Sequence, residues 1–174
     1  MNTRDDRQTA RLRLTRIAPT DLDDLIRMYA DPQVMATLGG VRTTDQVAHY
    51  FEQQMTHWEQ HGFGFWMMRD INSGQFIGRG GLRYAVVEGQ TEIEVGYGLM
   101  SEFWGRGLAT ELARESVRVG IVEMKVPELV CFTLTTNLAS RRVMEKAGFR
   151  YERDFLYADL PHVLCRLRRV DFAE

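Results

Sequence analysis

Phe103-Trp104-Gly105-Arg106-Gly107-Leu108-Ala109-Thr110, followed further along by Asn137-Leu138-Ala139-Ser140-Arg141-Arg142-Val143-Met144-Glu145-Lys146-Ala147-Gly148-Phe149, decides how this chain reads. The first segment opens a helix with two glycines directly after an expected strand. A helix start leaves several backbone N–H groups unpaired, and with the positive helix end they converge on an anion such as a pyrophosphate. Arg106 adds a permanent cation beside them. The second segment sets Asn137 and Ser140 around another helix start, where short polar side chains cap backbone or reach a ligand. Gly148 reads as that helix's glycine C-cap.

Working outward, strands alternate with helices, without repeats or linkers. Residues 10–17 predict an opening strand with Leu12, Leu14 and Ile17 inward. Thr20 reads as an N-cap, with Leu22, Leu25, Ile26 and Tyr29 at helical spacing behind it. A second helix follows Thr44, carrying Val47, Tyr50, Phe51, Met55 and Trp58 on one face and stopping at Gly62. Strands are expected at 63–70, 75–87 and 91–100, with turns at Asn72-Ser73-Gly74 and Glu88-Gly89. The third helix starts near Gly105, uses Leu108, Leu112, Ala113, Val117 and Ile121 inward, and ends before Pro127. Strand 128–135 leads into the Asn137 helix, and 151–172 supplies two strands broken at Asp159-Leu160-Pro161. Because 91–100 and 128–135 neighbour across a helix, they suggest one parallel pair in an otherwise antiparallel sheet.

Composition sets outer bounds. With 174 residues, 44% hydrophobic and 26% charged, the chain suits one domain with a substantial core. The longest apolar runs fall far short of the roughly 20 residues a bilayer span needs, and residues 1–6 lack a signal peptide's apolar region. The expected location is the cytoplasm, with no membrane partner. Cys131 and Cys165 form no C-x-x-C pair and read as buried small hydrophobes, so no metal is expected. A net charge of -2 argues against general nucleic-acid binding.

The two opening segments, together with Asp31-Pro32, Val34-Met35, Leu38-Gly39-Gly40, Gly62-Phe63-Gly64-Phe65-Trp66, Phe76-Ile77-Gly78 and Glu94-Val95-Gly96-Tyr97, resemble the GNAT superfamily of N-acetyltransferases. Within it they are most similar to the RimJ/RimL type, which acetylates protein N-terminal amines. The resemblance covers nearly the whole chain and implies an α+β GNAT fold. That means a central, mostly antiparallel seven-stranded sheet, about four helices and one splayed parallel strand pair, in a single domain over 1–174, ordered over about 10–172. It also implies acetyl-CoA as cosubstrate, with Leu99 and Met100 facing pantetheine. Gly105, Arg106, Gly107, Leu108, Ala109 and Thr110 would hold phosphate, and Asn137 would bond the pantetheine arm. The superfamily pattern Gln/Arg-x-x-Gly-x-Gly/Ala has Trp104 at its first position here, a substitution familiar in the RimJ/RimL branch. A P-loop fits worse, since no Gly-Lys-Ser/Thr is present.

Amide formation requires a neutral amine, a held oxyanion and a leaving thiolate. Strand amides near Val95 to Leu99 suit the oxyanion. Glu94 is the expected base, with Glu92 two residues back on the same face as understudy; the competing reading for both is a solvated strand edge. Many GNAT enzymes use a tyrosine where this chain has Met144. Ser140 matches the serine assigned as acid in the RimL type, and a plain helix-start cap is the equal alternative. An α-amine with pKa of about 8 is roughly a tenth neutral at pH 7, whereas a lysine near 10.4 is below about one in a thousand. A weakly assisted site therefore suits an N-terminal amine.

Other features have plainer readings. His57 and His61 miss zinc-protease spacing and belong to an exposed helix face with His49. Arg141, Arg142, Lys146, Arg150 and Arg153 form a basic cluster that is either solvated or, at Arg142, in contact with a CoA 3′-phosphate. Trp66, Tyr84, Tyr97 and Tyr157 are core aromatics or acceptor-pocket walls. The acceptor itself, shaped by residues 35–42 and 155–162, is a protein N-terminus or a small molecule such as an antibiotic, polyamine or amino acid. A non-catalytic acyl-CoA sensor is the rival of another class. Monomer and homodimer are both open.

Overall fold

The computed structural model describes residues 6–172, so the reading of residues 1–5 as free of a leader lies outside it. Two compact units are formed, Met1–Gly81 with Tyr97–Ala109 and Leu82–Gly96 with Thr110–Glu174.

In the first unit, β1 (Arg7–Gln8), β2 (Leu12–Arg16), β3 (Phe65–Asp70) and the first half of β4 (Phe76–Val87) run antiparallel. Leu14 stands opposite Met68, and both are fully buried, as strand alternation requires. Entry to α1 (Leu22–Ala30) is organised by Asp21 and not by Thr20. Pro19–Asp21 makes a 3₁₀ turn in which Ala18 N–H donates to Asp21 Oδ2 at 2.8 Å. Arg69 of β3 then clamps Asp21 at 2.9 Å and Asp24 at 2.7 Å. The carboxylate is thus fixed by a residue distant in sequence, which local capping patterns do not reveal.

A single helical turn, α2 (Pro32–Met35), follows, with Asp31 accepting from Gln33 N–H at 2.8 Å. α3 (Thr44–His61) begins with a reciprocal cap between Thr43 and Gln46 and ends at Gly62, whose φ of 71° is left-handed. Val47, Tyr50, Phe51 and Trp58 are buried as expected, but the buried residue of the third turn is Gln54, and Met55 is half-exposed.

In the second unit two hairpins share one turn geometry. Glu88 (φ 47°) and Gly89 (φ 81°) join β4 to β5 (Gln90–Leu99), and Ala158 (φ 49°) and Asp159 (φ 61°) join β7 (Arg150–Tyr157) to β8 (Leu160–Arg168). Two consecutive positive φ values match the right-handed twist of the flanking strands. β6 (Glu128–Leu134) lies parallel to β5 with Glu94 opposite Val130. β8 inserts between β6 and β7, giving the order β1-β2-β3-β4-β5-β6-β8-β7.

Helix α4 (Leu108–Arg118) widens into a π-helical turn over Val119–Glu123, and α5 (Leu138–Lys146) closes with Phe149 N–H donating to Met144 O at 3.0 Å around Gly148. The described residues therefore hold eight strands and five helices, against the seven and about four expected. The additions are β1, two residues long, and α2, a single turn, both too short to carry a periodicity. The fold class and the parallel pair are as expected. Cys131 and Cys165 are opposite one another on β6 and β8, both buried and neither in a disulfide.

Candidate active site

The glycine segment forms an exposed turn, and the helix begins three residues later than the sequence suggests, at Leu108. Gly105 (φ 74°) and Gly107 (φ 77°) both sit in the left-handed region, where a side chain costs roughly 1–2 kcal/mol. They hold the chain out of the helix, so the first N–H groups of α4 have no preceding helical turn to bond to. Three contacts fix the turn. Trp104 Nε1 donates to Leu99 O at 2.9 Å, Arg11 Nη1 donates to Arg106 O at 2.8 Å, and the Arg106 guanidinium lies 5.3 Å from the Phe103 ring centre. Nothing lies within 4 Å of where a Gly105 Cβ would stand. Trp104 thus ties the turn to the end of β5. Met100 N–H is spent on Ile77 O at 2.8 Å, and Leu99 and Met100 are buried.

On β5 the two candidate bases have different surroundings. Glu94 is 5% exposed, and its Oε2 accepts from Arg83 Nε at 2.6 Å. This is not the solvated strand edge that most glutamates occupy. The arginine takes one oxygen, and Oε1 has no protein partner among the described residues. Glu92 is committed elsewhere, because Arg166 of β8 binds it at 3.0 Å, Glu128 at 2.6 Å and Glu152 at 2.5 Å. That network gathers carboxylates from three strands around one guanidinium and holds the Glu152 carboxyl below the usual range.

Asn137 caps α5, with Oδ1 accepting from Ser140 N–H at 3.1 Å. Ser140 is therefore the receiver of the cap and not its source, and its side chain is half-buried. Arg141 turns inward to donate to Thr135 O at 3.2 Å, whereas Arg142 stays exposed beside it. Ala109 and Thr110 are half-buried on the first turn of α4, ahead of buried Leu112 and Ala113.

The plainer readings hold for several residues. His57 Nδ1 meets Phe63 O at 2.9 Å, and its ring packs edge-on against His61. Trp66 is buried against Trp58. Sequence reasoning missed Arg83 and Arg166. A local hint lay in Arg166, a charged residue flanked by buried Cys165 and Leu167 on β8.

A model of the acetyltransferase (GNAT) domain matches residues 11–150. The uncharacterized protein YkkB of Bacillus subtilis is 29% identical over 154 residues, covering 88% of this chain and 90% of that protein. An FsC-acetyl coenzyme A-N(2)-transacetylase of Aspergillus fumigatus is 29% identical over 161 residues, covering 84% of this chain and 66% of that protein. Among solved structures, an acetyltransferase from Agrobacterium tumefaciens superimposes with a TM-score of 0.83 at 24% identity, over 94% of each chain.

Proposed function

The chain belongs to the GNAT acetyltransferase family, and from that premise we propose that this enzyme carries an acetyl group from acetyl-CoA to a protein N-terminal α-amine, in the manner of the RimJ/RimL type. The observation that carries the reading is the exposed turn at Gly105 and Gly107, left-handed at both glycines and opening directly onto α4. Backbone N–H groups at such a turn suit a diphosphate, and Arg106 adds charge. Leu99, Met100, Gly105, Arg106, Gly107, Leu108, Ala109 and Thr110 are assigned to the donor, together with Asn137 and Arg142. The cytoplasm is the proposed place of action.

The chemistry follows from Glu94. The neutral amine attacks the thioester carbonyl, forming the C–N bond while its proton passes to Glu94 Oε1. Backbone N–H groups along 95–99 hold the oxyanion. The C–S bond then breaks, and the thiolate takes a proton from Ser140, which regains one from solvent while Glu94 releases the amine's proton to solvent. Arg83 keeps the Glu94 carboxylate in place during the transfer.

A second reading, a small-molecule acceptor, is favoured by the name of the Aspergillus relative, which describes transfer from acetyl coenzyme A to an N(2) position. A panel of peptides, aminoglycosides, polyamines and amino acids, followed by CoA release against an acetyl-CoA-only control, separates the two. Turnover confined to free peptide N-termini supports the first reading, and turnover confined to small amines overturns it. Thermal stabilisation by acetyl-CoA without turnover of any amine identifies a sensor instead.

A further inference from the structure

One face of the β6-β8-β7 sheet carries a cluster of rings that the chemistry above leaves unused. Antiparallel partners point to the same side, so Phe132 opposite Leu164, Leu134 opposite His162, Phe155 opposite His162 and Tyr157 opposite Leu160 share that face. His162 sits at the centre, its ring 5.9 Å from Phe155, 5.5 Å from Tyr157 and 6.1 Å from Phe132. Phe132 lies 4.7 Å from Tyr157 and edge-on to Phe155 at 5.6 Å. Phe155 and His162 form a buried floor, Phe132 and Tyr157 are half-open, and Leu160 is 45% exposed at the rim.

The imidazole has a defined polarity. His162 Nδ1 lies 2.9 Å from Leu160 O. A carbonyl oxygen only accepts, so Nδ1 carries a proton, and the tautomer with hydrogen on Nδ1 alone offers Nε2 as a lone-pair acceptor with no protein partner among the described residues. Phe132 follows Val130 by two residues, about 7 Å along the strand, and Val130 is the residue opposite Glu94. The ring cluster therefore begins one side chain away from the proposed base. The cations bordering it are engaged by carboxylates, Arg83 by Glu94, Arg153 by Glu88 and Arg166 by Glu92, Glu128 and Glu152. Such a surface suits a neutral or cationic guest with a flat apolar body and gives an anionic one nothing to pair with.

We propose that Phe132, Phe155, Tyr157 and His162 form the acceptor subsite, selecting amines that carry an aromatic ring next to the reacting nitrogen, with His162 Nε2 accepting a hydrogen bond from an acceptor N–H. This rests on the acetyl-transfer reading and names its substrate class: a peptide beginning with an aromatic residue, or an arylalkylamine.

Two measurements test it. In histidine-ring ¹H–¹³C spectra, 2-phenylethylamine shifts the His162 signals, identified by their loss in His162→Gln, while those of His49, His57 and His61 stay in place and ethylamine moves none. In turnover, Phe-Ala-Ala-Ala exceeds Ser-Ala-Ala-Ala in kcat/KM by at least about tenfold. Tyr157→Ser brings that ratio to about one, and His162→Gln raises KM for the Phe peptide with kcat largely kept. Turnover of both peptides at equal rates with an unmoved His162 signal overturns the subsite and leaves acetyl transfer standing. A shifted His162 signal with no amine acetylated overturns acetyl transfer and leaves an aromatic-amine binding site.

Discussion

Arg83 Nε lies 2.6 Å from Glu94 Oε2, with the carboxylate buried and the guanidinium half-exposed. The pair works only as a pair, because a buried carboxylate without its partner is costly. Glu94→Gln keeps shape and removes the proton acceptor, so kcat is expected to fall about 10²–10⁴-fold with little change in melting temperature. Arg83→Leu is expected to cost about 1–3 kcal/mol of stability in urea melts, since it strands the carboxylate. Equal kcat for wild type and Glu94→Gln would remove Glu94 from the chemistry.

Asn137 and Ser140 have separable roles. Asn137→Ala removes the side-chain acceptor of the Ser140 N–H and is expected to destabilise by about 1 kcal/mol. Ser140→Ala keeps that N–H, so it should leave the melting temperature within about a degree or two while lowering kcat. If Ser140→Ala turns over at the wild-type rate, another group protonates the thiolate.

Gly107→Ala places a side chain at φ 77°. The expected result is a loss of about 1–2 kcal/mol in stability or a turn that shifts to avoid it, with CoA affinity by calorimetry falling about tenfold. Unchanged CoA affinity in a variant that folds would put the diphosphate elsewhere.

The network around Arg166 sets an acid limit. Arg166 holds the Glu152 carboxyl below its usual value of 4.5 in the folded chain. A carboxyl lowered on folding contributes stability above its unfolded pKa, and that contribution is lost as pH falls through the folded value. Urea midpoints should therefore drop as pH falls below about 4.5 in the wild type, and Arg166→Leu should flatten that dependence. A wild-type midpoint unchanged by acid would count against the network.

Burial pushes the Cys165 thiol up to about 11 from 9.0. The neutral thiol is the form the fold accepts, so this contribution to stability is whole below about pH 9 and declines as pH rises towards about 11. A disulfide reagent at pH 8 is expected to label Cys165 only on unfolding, and rapid labelling of the native chain would contradict its burial.

Residues that act through their neighbours in sequence were legible, and those that act through distant strands were not. The Gly105–Gly107 turn, the Asn137 cap and the Gly148 stop are short-range events written in residue type, and the structure has all three. The start of α4 moved to Leu108 because glycine permits the left-handed turn without announcing how many residues it occupies. Arg83, Arg166 and His162 could not be singled out. Arg166 and His162 take their meaning from β8 lying between β6 and β7, an insertion that strand propensity does not encode, and Arg83 takes its meaning from the register that sets it beside Glu94 across the β4–β5 hairpin. Glu92 and Glu94 look alike as letters two apart, yet one is absorbed into the Arg166 network and the other keeps an oxygen.

The wide turn at Val119–Glu123 stores one residue more than regular helical pitch would need over the same rise. Gly120 sits within it, where a Cβ would come within 2.9 Å of Leu129. This is where a change of length is expected to be absorbed. A one-residue deletion at 120 is expected to rewind the coil to ordinary pitch and leave Glu128 facing Arg168, and a variant that loses its cooperative urea transition would contradict this.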